Sequence, residues 1–140
     1  MDLGARVLVV ARDAHNVTAL RMEWEGGGRD ADALVADVTT PASRAVLAQA
    51  VAEHFGSLDI LVNNVGAGLR KPFTEYSEED IDVLASRNFA STVYVSRILH
   101  SAMRLGKAPA IVNVGSIAGV TPVRGTHVYA ALWERSGAYA

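Results

Sequence analysis

The residues of this chain that could do chemistry stand directly after four short apolar runs. Arg12 follows the first, Asp37 and Val38 the second, Asn63-Asn64-Val65-Gly66 the third, and Gly115-Ser116 the fourth. Asp and Asn at such places also serve as turn formers, because their side chains satisfy nearby backbone groups. What points to a ligand is the joint occurrence of four polar or glycine-rich ends in this order. In open parallel sheets, ligands sit outside the carboxyl ends of the strands. Thiol chemistry is excluded because the 140 residues contain no cysteine, and the histidines at 15, 54, 100 and 127 do not cluster at ligand spacing. No metal site is expected.

The elements that must position these residues follow from hydrophobic patterning. Val7 to Ala11 (VLVVA), Leu34 to Ala36, Ile60 to Val62 and Ala110 to Val114 (AIVNV) are short apolar runs rich in β-branched residues, as in strands buried on both faces. Asp13 to Glu25 reads as a helix ended by Gly26-Gly27-Gly28. Thr40 and Pro41 supply the cap and first turn of a second helix, in which Val46, Leu47, Ala50, Val51 and Phe55 recur at helical spacing up to Gly56. Ser77, followed three places later by Asp80, opens a long helix over Ile81 to about Leu105, free of Gly and Pro until Gly106. Strands alternating with helices predict an α/β fold, a doubly wound parallel sheet with helices on both faces, in one partial domain over 1–140.

Half of the residues are hydrophobic and the formal charge is −2, with acids and bases interspersed. No basic run would track a phosphate backbone or an anionic membrane, so neither nucleic acid nor membrane is an expected partner. No apolar stretch reaches the roughly 20 residues of a membrane span, and the start lacks the pattern of a signal peptide, so a cytoplasmic location is expected.

The segments VLVVARD, ADVTT, LDILVNNVG and IVNVGSIAG, with an Asn in the long helix and a Tyr thirteen places after Ser116, resemble successive landmarks of the classical short-chain dehydrogenases/reductases. The tropinone-reductase-like and ketoacyl-reductase-like members are the nearest in flavour. The likeness runs from about Leu3 to Ala131. It implies a Rossmann-type sheet, a nicotinamide cofactor, a small-molecule carbonyl or alcohol substrate, and an organisation in which homo-oligomers occur.

By that resemblance Tyr129 is the acid/base, Ser116 holds the substrate oxygen, and Asn88 interrupts its helix and anchors a water in a proton relay. Such chemistry needs a proton donor to the developing alkoxide and a second group polarising the carbonyl. Asp37 and Val38 resemble the pair that contacts adenine, and Asn64, Val65 and Gly66 the turn along the adenosine ribose. Asn63 braces the strands instead. Gly66 and Gly68 leave room for backbone to approach a dinucleotide. Where members choosing NAD carry an acid, this chain has Arg12, whose guanidinium can pair a 2′-phosphate, so NADP is favoured over NAD. Trp24 reads as core packing, and His127 as either a pocket-lining or a surface residue.

Two departures set this chain apart. The family's TGxxxGxG loop and the strand before it have no counterpart, and Met1 to Gly4 resemble the tail of the helix that follows that loop. About four strands remain, with the central first strand missing, so an apolar strand edge is expected to be exposed unless the halves close on each other or another chain supplies a strand. The family's YxxxK would place a lysine at 133, on the same helical face as Tyr129, and this chain has Trp133. Arg135, six positions on, points elsewhere. From Leu132 to Ala140 the resemblance ends. The expectation is an NADP-dependent enzyme of impaired activity, the alternative a catalytically silent interaction or dimerisation module.

Overall fold

The computed structural model describes residues 4–27, 30–121 and 124–136, the side chains up to position 133. Met1 to Leu3 and Gly28, named above, lie outside these residues. The chain divides into two compact units, 1–56 and 57–140.

In the first unit, β1 (Val7–Ala11) runs parallel to β2 (Ala31–Val35), with Val7 opposite Ala31 and Ala11 opposite Val35. Helix α1 (Ala14–Gly26) starts where the Asp13 carboxylate accepts from the backbone N–H of His15 at 2.9 Å and of Asn16 at 3.1 Å. It ends as Gly27 N–H donates to the carbonyl of Trp24. Its inner face sets Val17 and Trp24 against Ala33, with Val9, Ala11, Leu20 and Ala31 around them. Strand β2 starts three residues before the apolar run that marks it in sequence. Asp32 makes ADALV look polar, but its carboxylate takes the Arg21 guanidinium at 2.9 Å, while the small Ala31 and Ala33 let α1 pack close. Helix α2 (Pro41–His54) has the expected cap, Thr40 Oγ1 accepting from Ser43 N–H, and buries Leu47 and Val51. Val46 faces outward. Gly56 ends the turn at φ +70°, a left-handed conformation that favours glycine.

In the second unit, β3 (Ile60–Asn63) runs parallel to β4 (Ala110–Asn113), with Ile60 opposite Ala110 and Asn63 opposite Asn113. The α/β alternation and the parallel pairing follow the sequence pattern. The described strands form two separate pairs, β1 with β2 and β3 with β4. Period-2 alternation gives β3 two unlike faces, whereas all four residues of β4 are exposed. Leu61 and Asn63 are buried, with Asn63 Nδ2 donating to Asn113 Oδ1 at 2.9 Å and to Ser96 Oγ at 3.1 Å. This brace ties both strands to a helix. On the other face Ile60 is 61% exposed and Val62 55%, flanked by exposed Val112.

The predicted long helix exists with one interruption. Helix α3 (Glu78–Ala85) passes into a π turn over Ser86–Ala90 and then into α4 (Ser91–Met103), which buries Val95, Leu99 and Met103. A capping box opens α3: Ser77 Oγ accepts from Asp80 N–H while the Asp80 carboxylate accepts from Ser77 N–H. Helix α5 (His127–Ser136) closes the described chain. Among the described residues, no helix is long and apolar enough to cross a membrane.

The Asp80 carboxylate also pairs with the Lys71 ammonium. That hydrogen bond, followed by those from the Ser77 backbone and hydroxyl, lowers its pKa from 3.8 to about 2. A depressed carboxylate contributes stability that is present above its unfolded pKa and lost as pH falls through its folded one. The affected window is therefore about pH 4 to pH 2. Circular dichroism during acid titration should show Asp80→Asn less stable than the parent at pH 6, with the gap closing between pH 4 and 2. A gap that stays constant down to pH 2 would mean that the pair contributes nothing through charge.

Candidate active site

The site grows from the loop that leaves β3. Asn64, Val65 and Gly66 follow the strand and are exposed, and at Ala67 the chain is captured by Asn88. Ala67 N–H donates to Asn88 Oδ1 at 2.9 Å, and Asn88 Nδ2 donates back to the Ala67 carbonyl at 2.9 Å. A second Nδ2 bond, also 2.9 Å, reaches the Leu84 carbonyl one helical turn earlier. Asn88 is 1% exposed and lies in the π turn, where Ser91 N–H bonds to the Ser86 carbonyl. The residue expected to interrupt the long helix therefore sits at its interruption. Both amide protons are engaged by carbonyls, which leaves an Oδ1 lone pair for any further donor.

Helix α5 packs on this π turn, on α3, and on the 3₁₀ turn Ile117–Gly119. Ser116 caps that turn, its Oγ accepting from Ala118 N–H at 3.2 Å, so its own proton remains available to an acceptor. Tyr129, in the first turns of α5, is partly exposed, and its ring meets Trp133 edge-on at 5.8 Å between centroids and 68° between planes. A β-carbon on Gly66 would lie 3.3 Å from Asn88 Oδ1 and 3.5 Å from Trp133 Cζ2. Gly66, Asn88 and Trp133 thus meet at one point, with Tyr129 next to it. Around Gly68, by contrast, the space a β-carbon would enter is open.

Two residues outside the sequence reading help to place α5. Tyr76 Oη bonds to the Leu69 carbonyl at 2.6 Å and lies 3.2 Å from the Gly125 carbonyl, which also accepts Lys71 N–H at 3.1 Å. Gly125, at φ +78°, makes the turn just ahead of the helix, and a β-carbon there would press on Arg70 Cγ at 3.0 Å. A glycine two residues before a helical run was the available sequence signal. His127 is exposed, with its ring edge-on to Phe73 at 5.9 Å.

In the first unit, Arg12 is exposed just after β1, and among the described residues no ion pair or hydrogen bond engages its guanidinium. Asp37 Oδ1 accepts from Thr39 N–H at 3.0 Å and Thr39 Oγ1 at 2.7 Å, a side-chain turn. Val38 is buried, and its carbonyl takes Arg44 Nη1 at 2.8 Å. Arg12 is thus an exposed cation at the end of β1. In the second unit, the indole of Trp133 stands over Gly66.

The geometry of Asn88 makes a stability prediction. Asn88→Ala removes the partner of the part-buried N–H and carbonyl of Ala67 and of the buried Leu84 carbonyl, at about 1–3 kcal/mol for each buried group left unsatisfied. Urea unfolding should show a total loss of at least about 2 kcal/mol. Asn88→Asp should do no better, because a carboxylate there would face two carbonyl oxygens. A loss under about 0.5 kcal/mol, the size of an ordinary surface change, would refute the clamp.

Comparison with known proteins gives this constellation a lineage. The sequence pattern described as short chain dehydrogenase matches residues 1–132. A tropinone reductase homolog of Arabidopsis thaliana is 37% identical over 130 residues, covering 92% of this chain and 48% of the relative. Senescence-associated protein 13 of the same plant is 35% identical with the same coverage. The chain spans about half the length of these curated relatives. The crystal structure of an actinorhodin polyketide ketoreductase variant with NADPH superposes with a TM-score of 0.90 at 26% identity, over 99% of this chain and 54% of that one. With strands, π turn and hydroxyl-bearing helix arranged as described, the chain belongs to the short-chain dehydrogenase family, an oxidoreductase family of Rossmann-like α/β fold.

Proposed function

We propose that this chain carries the site of an NADP(H)-linked oxidoreductase that interconverts a ketone and a secondary alcohol. The observation that carries the reading is the packing of α5 on both the Ser116-capped turn and the π turn of Asn88, which gathers the elements of three polar side chains into one unit. The cofactor, when bound, supplies the hydride. In this reading the Ser116 hydroxyl donates to the substrate oxygen and the Tyr129 hydroxyl transfers a proton to or from it. Asn88 holds the loop floor through Ala67. Arg12 pairs the 2′-phosphate, a choice supported by its exposure and uncommitted guanidinium. Asp37 and Val38 border the adenine, and Asn64, Val65 and Gly66 the adenosine ribose. The relative's name and the bound NADPH of the ketoreductase agree with a carbonyl substrate and with this cofactor.

A second reading has its own support. The outward face of β3 and β4, with Ile60, Val62 and Val112 exposed, is an apolar surface of the kind that marks an interaction site. On that reading the chain is a silent dimerisation or interaction module.

Fluorescence titration with NADPH and NADH separates the two. Saturable NADPH binding is expected, with Arg12→Ala weakening it about tenfold, the worth of roughly 1.4 kcal/mol, and leaving NADH unchanged. A folded chain that binds neither nucleotide would favour the module.

A further inference from the structure

We infer that the cleft between the loop after β3 and helix α3 binds a small carboxylic acid with an apolar body, its carboxylate pairing with Arg87. The inference goes beyond the NADP(H) reading and draws only on residues of the second unit. The cleft has a volume of about 380 Å³, inside the roughly 300–1,000 Å³ range of small-molecule sites. One wall is the chain at Ala67, Gly68 and Leu69, and the other is Val83, Leu84 and Arg87. The Asn88 amide fixes the separation of the walls, since it bonds to the N–H and carbonyl of Ala67 and to the Leu84 carbonyl. A cleft held in this way exists before any ligand arrives. Gly68 widens it, because no atom stands within 4 Å of the place a β-carbon would take.

The chemistry of the walls selects the ligand. Leu84 is buried, Leu69 half-buried and Val83 exposed, so the middle of the cleft is apolar. Arg87, one helical turn beyond Val83 and Leu84, is half-buried, and among the described residues no hydrogen bond or ion pair engages its guanidinium. Its backbone is tied, the carbonyl accepting from Ser91 Oγ at 2.7 Å. A cation partly withdrawn from water gains from a charged partner, and the guanidinium fork matches the two oxygens of a carboxylate. Two acids also line the cleft, and neither cancels this charge. Asp80 is already paired with Lys71. Glu79 is exposed and stands eight positions before Arg87. At 1.5 Å per residue that is about 12 Å along the axis, beyond the roughly 8–10 Å over which charges act in physiological salt. The Arg87 end is therefore positive and the wall beside it apolar.

Amide-resolved NMR titration of the whole chain with octanoate tests this, with octanol and octylammonium as the neutral and cationic counterparts. Saturable octanoate shifts are expected at the Gly68 and Leu69 amides and at Arg87 Nε–H. Octanoate should bind at least about fivefold tighter than octanol, and Arg87→Gln should abolish that margin while leaving octanol unchanged. The amide spectrum also reports whether each variant is folded. Val83→Glu, which puts a repelling charge at an exposed position of the cleft, should weaken octanoate to a similar extent and serves if Arg87→Gln does not fold. Equal octanoate affinity in the parent and a folded variant overturns the inference, as does the lack of saturable octanoate binding. Shifts confined to the exposed residues of β3 and β4 overturn it too, and tighter binding of octylammonium would give the cleft to Glu79 instead.

Discussion

The side-chain amide of Asn88 meets the backbone of Ala67 as one β-strand meets another, N–H to oxygen and oxygen to N–H, and its second proton reaches Leu84. Such a group is stable in a dry interior only with every bond made, since a stranded donor or acceptor would carry its full desolvation penalty. The requirement fixes two things at once. It holds the loop after β3 at one height above the helix, and it ties that height to the π turn that separates α3 from α4. Helix α5 then packs on the same turn, so the position of Tyr129 depends on a bond network that contains neither Tyr129 nor Ser116.

Within each unit, groups near the strand ends divide into those committed to the fold and those that are not. Asp37 closes a turn onto Thr39, Val38 offers its carbonyl to Arg44, and Asn63 joins β3, β4 and α4. Arg12, the hydroxyl proton of Ser116 and the partly exposed Tyr129 are not committed in this way. The contrast follows from burial. A polar group inside must find its partners within the protein, whereas an exposed one can wait for a ligand in water.

Much of this was legible in the residue order. The Ser77 and Asp80 spacing announced a capping box, Thr40 and Pro41 a helix start, and the four apolar runs the parallel strands. Two features misled a reading by hydrophobicity. Strand β2 includes Asp32, which reads as a loop residue until its ion pair with Arg21 is seen, and Val46 keeps helical spacing yet faces outward. Spacing along one element cannot report a partner eleven residues away, nor which side of a helix the next element will cover.

By itself, the sequence determined the kind of element at each place, the α/β class and the resemblance to the family, with Trp133 standing where that resemblance implies a lysine. These are local properties: propensity, capping chemistry and periodicity act within a few residues. Only the tertiary structure decided that Gly66 faces Asn88 and Trp133, that Tyr76 and Lys71 hold the Gly125 turn, and that one face of the β3 and β4 pair is apolar and uncovered. Each of these joins residues twenty or more positions apart or depends on what fails to pack there. Close packing and the satisfaction of buried polar groups settle such matters for the whole unit at once, and no short stretch of residues contains them.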